Sequence, residues 1–475
     1  MEKCIFYLYI LIEKCIFKGF KYIEKCIFML KRKIQKVIEQ HFINNGKILL
    51  IDGARQIGKS YIVRYVGRKM FSNYIEINLQ EDFQGKRIFA DVNTLDDFYL
   101  QLSAIAGTKM GTKNNTLVFL DEIQVYPQLL TLLKFLNQDG RFSYVVSGSQ
   151  LGIALQQTTS IPLGNIEMLR MYPLDFEEFL WANGVSEEAI SAMRQKFDNR
   201  EALNESLHTH ILNLWKRYLL VGGLPEVVNK YLETTNIVVV RKTQSDIHAM
   251  YGIDASKYDV EHKLKIRRIY DLIPSNMENK KKRVVIQSIE NKKGKRTSDY
   301  VDEFDFLINS GIALEVKAIS NPKFPLIESA GKNLLKLYLN DVGLLTNLLY
   351  RNNINAILGD ERSVNLGSVY ESVVAQELRT HDNNLFYYDN KVRGEVDFLI
   401  DDYDLLSVVP IEVKSGKDYT VHSALNLFVS NDEYSIKQGI VLSNERDVFA
   451  DGKIIYMPIY YVMFLQQKKV DFIKI

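Results

Sequence analysis

Gly53-Ala54-Arg55-Gln56-Ile57-Gly58-Lys59-Ser60 sets two glycines five positions apart and follows the second with a lysine and a hydroxyl. Glycines at those places let backbone N–H groups close around an oxyanion, and a helix starting at Lys59 would add the positive end of its dipole. Lys59 would then reach the β- and γ-phosphates of a nucleoside triphosphate, and the Ser60 hydroxyl would ligate its Mg²⁺. Gly53, Ala54, Arg55, Gln56, Ile57, Gly58, Lys59 and Ser60 are therefore expected to line an ATP site. Out of context the same stretch would be a glycine turn with a surface lysine. About sixty residues on, Thr116 to Leu120 (TLVFL) ends in Asp121-Glu122. Asp121 is expected to hold Mg²⁺ through water and Glu122 to polarise the attacking water, so that Lys59 and Glu122 carry the chemistry. The apolar run Tyr144 to Val146 leads into Ser147-Gly148-Ser149-Gln150, where a serine, Ser149 in our assignment, would contact the γ-phosphate or simply make a turn.

A second acidic set lies far downstream. Glu371 sits in a helical stretch (LGSVYESVVAQELRTH), Asp397 in an alternating strand (GEVDFLI), and Glu412 and Lys414 two residues apart in VVPIEVKSG. Positions i and i+2 of a strand share a face, and a hairpin would bring Asp397 alongside. Glu371, Asp397 and Glu412 could thus hold a second Mg²⁺ or Mn²⁺, with Lys414 orienting a water. This pattern resembles the PD-(D/E)XK nuclease fold, from about Val364 to the end. The competing reading is a hairpin with surface ion pairs, or a fold kept without cleavage. A similar trio, Asp305, Glu315 and Lys317, is set aside, because Asp305 lies in a helical pattern where the chemistry needs a strand.

These residues must be positioned by α/β elements. The run Lys47 to Ile51 (KILLI) reads as a buried parallel strand immediately before the glycine loop, and YIVRYVGRKM as the helix after it. From Asp175 to about Asp254 the pattern is helical, fitting a lid or a plain helical linker. Two helical stretches, IRRIYDLIP and SDYVDEFDFLINSG, flank Lys280 to Arg296, which holds eight basic residues (Lys280, Lys281, Lys282, Arg283, Lys292, Lys293, Lys295, Arg296) against the acid Glu290. Such a segment either touches DNA phosphates or is a solvated loop.

The chain has 475 residues, enough for two to four domains at ~100–200 residues each. Its 60 Lys and Arg nearly cancel 58 Asp and Glu, so a polyanion would need a local patch. All three cysteines, Cys4, Cys15 and Cys26, belong to an EKCIF repeat of period eleven within the first 26 residues, and their lack elsewhere argues against a disulfide framework or zinc site in the body. The repeat would form a helix face for a membrane surface or for oligomerisation, or it is translated upstream DNA, with Met29 the true start. The apolar run Cys4 to Ile12 is too short to span a bilayer, and no A-x-A cleavage site follows. A soluble, cytoplasmic chain with no membrane partner is expected.

GARQIGKS, FLDEIQ, VVSGSQLG, MYPLDFEEFL (Met171 to Leu180) and YLLVGGLPEVV (Tyr218 to Val228) together resemble the prokaryotic AAA+ ATPases whose C-terminal half is a domain of unknown function. The resemblance runs from about Met29 to the end. It implies an AAA+ core with a parallel sheet over 29–174, a helical lid over 175–254, a winged helix over 255–325 and the nuclease-like mixed α/β domain over 326–475, after a 1–28 repeat. It also implies ATP and Mg²⁺ as ligands, with DNA and further copies of the chain as open partners. The basic residue often found after Pro-x-Gly in similar proteins is Asn165 here, which leaves Arg170 and Arg217 as arginine-finger candidates. The expectation is an ATPase whose hydrolysis drives or switches a nucleic-acid-binding, nuclease-like domain. The alternative is a nucleotide-gated binding module with an inactive one.

Overall fold

Five consecutive buried residues make β1 (Ile48–Asp52), as expected of a strand covered on both faces. The computed structural model describes residues 30–44, 46–149, 151, 164–255, 262–329, 334–359, 364, 366–416 and 418–466. The chain divides into Met1–Leu30 and Lys31–Ile475, and every described helix and strand belongs to the second unit. The EKCIF repeats, their cysteines and the 1–28 boundary lie outside the described residues.

β1 pairs in parallel with β4 (Ser143–Gly148) on one side and β5 (Ile166–Arg170) on the other. β3 (Thr116–Asp121) joins β4, and β2 (Asn73–Asn78) joins β3, giving the five-stranded order β2-β3-β4-β1-β5. All strands point the same way, so Asp52, Asp121, Gly148 and Arg170 end on one sheet edge, where such folds bind ligands. Leu50, Val118, Leu120 and Val146 pack with Phe98, Leu130 and Leu133 of the covering helices into a core. The helix Pro127–Asp139 opens with proline in its first turn and ends on Gly140 at φ 64°, a start and stop readable in the sequence.

Residues after the sheet are helical as expected: Phe176–Ala182, Glu187–Asp198, Glu205–Val221, Pro225–Thr234 and Ile237–Ala255. Helices Lys263–Glu278, Ile286–Glu290 and Val301–Asn309 come next, then β6 (Ala313–Ile319) and β7 (Leu335–Leu339). The last part adds the helix Gly367–Thr380 and β8 (Phe386–Asn390), β9 (Gly394–Asp402), β10 (Ser407–Val413), β11 (Gly439–Ser443), β12 (Phe449–Asp451) and β13 (Ile454–Pro458). They form a mixed eight-stranded sheet, β12-β13-β11-β10-β9-β8-β6-β7.

The expected boundary at 325/326 falls inside this sheet. β6 pairs antiparallel with β7 across it and parallel with β8. Three helices and the first strand of a hairpin lie where a winged helix was expected, yet that strand, with Val316, Ala318 and Ile319 fully buried, also pairs with β8 of the large sheet. The expected separate domain is therefore joined by backbone ladders to the strands of the C-terminal part.

Two sequence runs that carried the resemblance act as a clamp. Leu174 N donates to Gly223 O at 2.7 Å, and Tyr218 Oη donates to Leu174 O at 2.6 Å. Gly223 N donates to Asp341 Oδ2 at 2.6 Å, Phe176 N to Glu377 Oε1 at 2.9 Å, and Gln376 Nε2 to Tyr218 Oη at 2.7 Å. A Cβ on Gly223 would stand 2.0 Å from Leu174 O, and one on Gly222 would stand 2.1 Å from Asp341 Oδ1, so close backbone approach requires both glycines. No helix among the described residues is long and apolar enough to cross a membrane.

Candidate functional site

The glycine loop leaves β1 and enters the helix Lys59–Met70. Gly53 has φ 147°, and a Cβ there would lie 2.4 Å from Met171 O; Gly58, capping the helix, has φ 93°, and Gln56 has φ 60°. The loop thus requires glycine at both expected places. Arg32, to which the sequence assigned no role, supports it from below: Nη1 donates to Ile57 O at 3.0 Å, Nη2 to Tyr172 O at 2.7 Å and Nε to Glu178 Oε2 at 2.9 Å.

Lys59 is 5% exposed, and its Nζ donates to Gly53 O and Ala54 O, each at 2.8 Å. Burial lowers its pKa from the ordinary lysine value, and Glu122, Asp52 and Asp121 oppose that fall. Ser60 Oγ donates to Asp121 Oδ2 at 2.7 Å, and Ser147 donates to the other carboxylate oxygen. Burial raises the Asp121 pKa, these hydroxyls opposing it. A hydroxyl and a carboxylate this close, at a helix N-terminus, are the hard oxygen donors that Mg²⁺ takes, so the residues present fit it.

Glu122 has φ 59°, the left-handed region that costs a non-glycine residue ~1–3 kcal/mol and marks functional turns. Gln124 Nε2 donates to its Oε2 at 2.5 Å and Ser149 Oγ does so at 3.3 Å. The two serines left open by the sequence thus divide: Ser147 serves Asp121 and Ser149 serves Glu122. Ser149 Oγ also accepts from Arg55 Nε at 3.3 Å. Gln124, Tyr251 and Asp254 were missed; only the adjacency of Gln124 to Asp121-Glu122 could have signalled one of them.

Of the arginine-finger candidates, Arg170 ends β5 as the register partner of Asp52, on the same sheet edge as the glycine loop. Arg170 Nη2 donates to Ile308 O at 2.7 Å, at the end of the helix Val301–Asn309. Arg217 Nη1 donates to Tyr231 Oη at 3.4 Å.

The downstream set is gathered, but with company. Phe398 and Ile411 are register partners, which sets Asp397 of β9 beside Glu412 of β10, and Asp397 Oδ2 accepts from Val413 N at 2.8 Å. Lys414 Nζ donates to Glu412 Oε1 at 2.9 Å. Glu371 receives Lys282, and Lys336 Nζ, fully buried, lies 3.7 Å from Glu371 and 2.7 Å from Glu395. Burial and the repulsion of Glu371 and Glu412 push Asp397 well above the usual carboxylate range. Burial also raises Glu412 against the pull of Lys414, whereas Lys336 and Lys282 overcome burial and hold Glu371 low. Two ammonium groups thus stand where the sequence led us to expect a cation relieving three carboxylates. Among the described residues no group of three or more His, Cys, Asp or Glu has metal-holding geometry. Asp305 lies on a helix and Lys317 Nζ lies 3.1 Å from Glu315, in keeping with setting that trio aside.

Lys282 and Arg283 also correct the basic segment. Both turn inward, Arg283 to Asp389 and Glu395, leaving Lys280, Lys281, Lys292, Lys293, Lys295 and Arg296 exposed.

Residues 45–180 match a family described as an AAA domain. Residues 212–355 and 366–462 match two domains of unknown function, DUF8612 and DUF4143. No curated protein matches the chain. Among solved structures, the chain is similar to the Walker-type ATPase PABY2304 of Pyrococcus abyssi, with 14% identity over 68% of this chain and 96% of that one, at a TM-score of 0.41. The Aeropyrum pernix Orc1 protein in complex with DNA shows 15% identity over 68% and 92%, at 0.28. The Thermotoga maritima RuvB Holliday junction branch migration motor shows 14% over 60% and 89%, at 0.29. The glycine loop after β1, the paired acids at the end of β3 and the family match together give residues 45–180 an AAA-type P-loop ATPase fold.

Proposed function

We propose that the chain hydrolyses ATP with Mg²⁺ and uses the nucleotide state to switch a C-terminal half that binds its partner without cutting it. The observation that carries the ATPase reading is the convergence of Lys59, Ser60, Asp121 and Glu122 on one sheet edge, with Ser149 bonded to Glu122. The loop N–H groups and Lys59 would hold the β- and γ-phosphates, with Lys59 exchanging the carbonyls of Gly53 and Ala54 for phosphate oxygens. Ser60 and, through water, Asp121 would hold Mg²⁺, whose charge when bound would offset that of the phosphates. Glu122 takes the proton of the water that attacks the γ-phosphorus as the bond to the bridging oxygen breaks. Lys59→Ala is expected to weaken ATP binding and abolish Mg²⁺-dependent phosphate release; unchanged affinity and turnover would remove the reading.

The binding role of the C-terminal half, rather than cleavage, is favoured by Lys282 and Lys336 beside Glu371. We assign DNA contact to the exposed part of 280–296. Replacing Lys281, Lys293 and Lys295 by Ala should flatten the log–log salt dependence of duplex binding by ~0.9 per lost phosphate contact. An unchanged slope would make the segment a solvated loop, and metal-dependent nicking of circular DNA would restore the nuclease reading.

A further inference from the structure

Arg55, third residue of the glycine loop, is held from one direction by the last turn of the helix Ile237–Ala255. Tyr251 Oη donates to Arg55 O at 2.8 Å, and Arg55 Nη1 donates to the two carboxylate oxygens of Asp254 at 2.8 and 2.7 Å. On its other side, Arg55 Nε donates to Ser149 Oγ at 3.3 Å, and Ser149 Oγ donates to Glu122 Oε2 at 3.3 Å. Four side chains, Asp254, Arg55, Ser149 and Glu122, thus join the end of that helix to the carboxylate assigned to the water. The crevice among Arg55, Ser149, Tyr251, Asp254, Phe306 and Ser310 is about 10 Å³, room for one water at most, so Arg55 is held by the protein's own groups.

A guanidinium keeps its charge, so Asp254 and Glu122 compete for it. While Asp254 holds it, Arg55 reaches Glu122 only through the Ser149 hydroxyl; once released, it could pair with Glu122 directly and quench the base. The loop also has to reshape when a triphosphate enters, because Lys59 must leave Gly53 O and Ala54 O, the carbonyls immediately before Arg55. We propose that Arg55 is the positioning residue that passes nucleotide occupancy to the end of the helix Ile237–Ala255, and through which that helix controls Glu122. This rests on the ATPase reading of Lys59 and Glu122.

The test is amide hydrogen exchange over residues 247–255 of the full chain, with and without Mg²⁺ and the slowly hydrolysed analogue ATPγS, beside nucleotide affinity and steady-state turnover. In the parent chain, nucleotide should change exchange in this turn by about threefold or more. Compared at saturating nucleotide, whatever its affinity, Arg55→Ala should lose that change, and Arg55→Lys should recover part of it. Asp254→Asn should lower kcat about tenfold with KM within about twofold, and Arg55→Ala with Asp254→Asn should turn over no worse than Arg55→Ala alone. Should Arg55→Ala fail to fold, Asp254→Asn, nearly identical in shape, carries the exchange test. Nucleotide that binds without altering exchange, exchange that still responds in Arg55→Ala, or additive losses in the double variant would overturn the proposal alone, provided Lys59→Ala weakens binding and abolishes phosphate release. A parent chain that binds no nucleotide would overturn the ATPase reading and this proposal with it.

Discussion

Glu122 is held in a left-handed backbone conformation, and its Oε2 accepts from Gln124 and Ser149, an arrangement that aims one carboxylate rather than leaving it to solvent. Changing its charge while keeping its shape should therefore separate binding from chemistry. Glu122→Gln is expected to bind ATP within about threefold of the parent and to hydrolyse it ~10²–10⁴-fold more slowly, read by nucleotide titration and phosphate release. Loss of binding would place Glu122 among the phosphate or metal contacts instead. The same single-residue logic applies to Lys336, wholly buried between Glu371 and Glu395. Removing one partner from a buried ion cluster costs about 3–5 kcal/mol, so Lys336→Met should lower the unfolding free energy by that order. Mg²⁺ or EDTA, in contrast, should leave the melting temperature of a nucleotide-free Lys59→Ala chain unchanged; a rise with Mg²⁺ would show that the carboxylates take a cation after all. The glycine loop was legible because phosphate binding fixes both residue types and spacing. Lys336 was not, since a lysine in an apolar strand announces neither its burial nor its partners.

Among the elements, the clamp between Met171–Leu180 and Tyr218–Val228 gives those runs a structural role rather than a chemical one. Asp341, fully buried at the cap of the helix Val342–Tyr350, accepts from Gly223 N and Leu344 N, and burial pushes its carboxyl up to about 6. With an unfolded value near 3.9, this group's stabilisation is fully present below that pH and is lost as pH rises through about 6. The loss amounts to about 3 kcal/mol, at 1.36 kcal/mol per unit. Asp341→Asn should flatten this segment of the stability curve, measured by denaturant unfolding between pH 4 and 7; a parallel curve would mean the carboxyl titrates normally. The strands and helices themselves were readable from apolar runs, glycines and prolines. The inward turn of Lys282 and Arg283 was not, because a charge run shows where cations are in sequence and not which of them meets a buried carboxylate.

At the scale of the molecule, chain length suggested several domains, yet Lys31–Ile475 is one compact unit. The physical reason lies in ties that cross the expected boundaries at 174/175, 254/255 and 325/326: β6 to β7 and β8, Gly223 to Asp341, Phe176 to Glu377, and Arg55 to Asp254. Sequence periodicity reports local elements and says little about long-range bonds of this kind, so the sheet edge was foreseeable and the fusion was not. A unit joined this way should unfold cooperatively, and a ligand bound to one part should stabilise all of it. Saturating Mg²⁺ with ATPγS, at about 100 times its dissociation constant, adds ~2.7 kcal/mol to the folded state. In calorimetry the full chain should therefore show one main transition that moves upward by a few degrees with nucleotide, and no shift in Lys59→Ala. Two resolved transitions of which only one responds would mean that the AAA-type domain and the C-terminal half melt independently. The contacts between them would then be too weak to carry a nucleotide signal from Lys59 to the exposed lysines of 280–296.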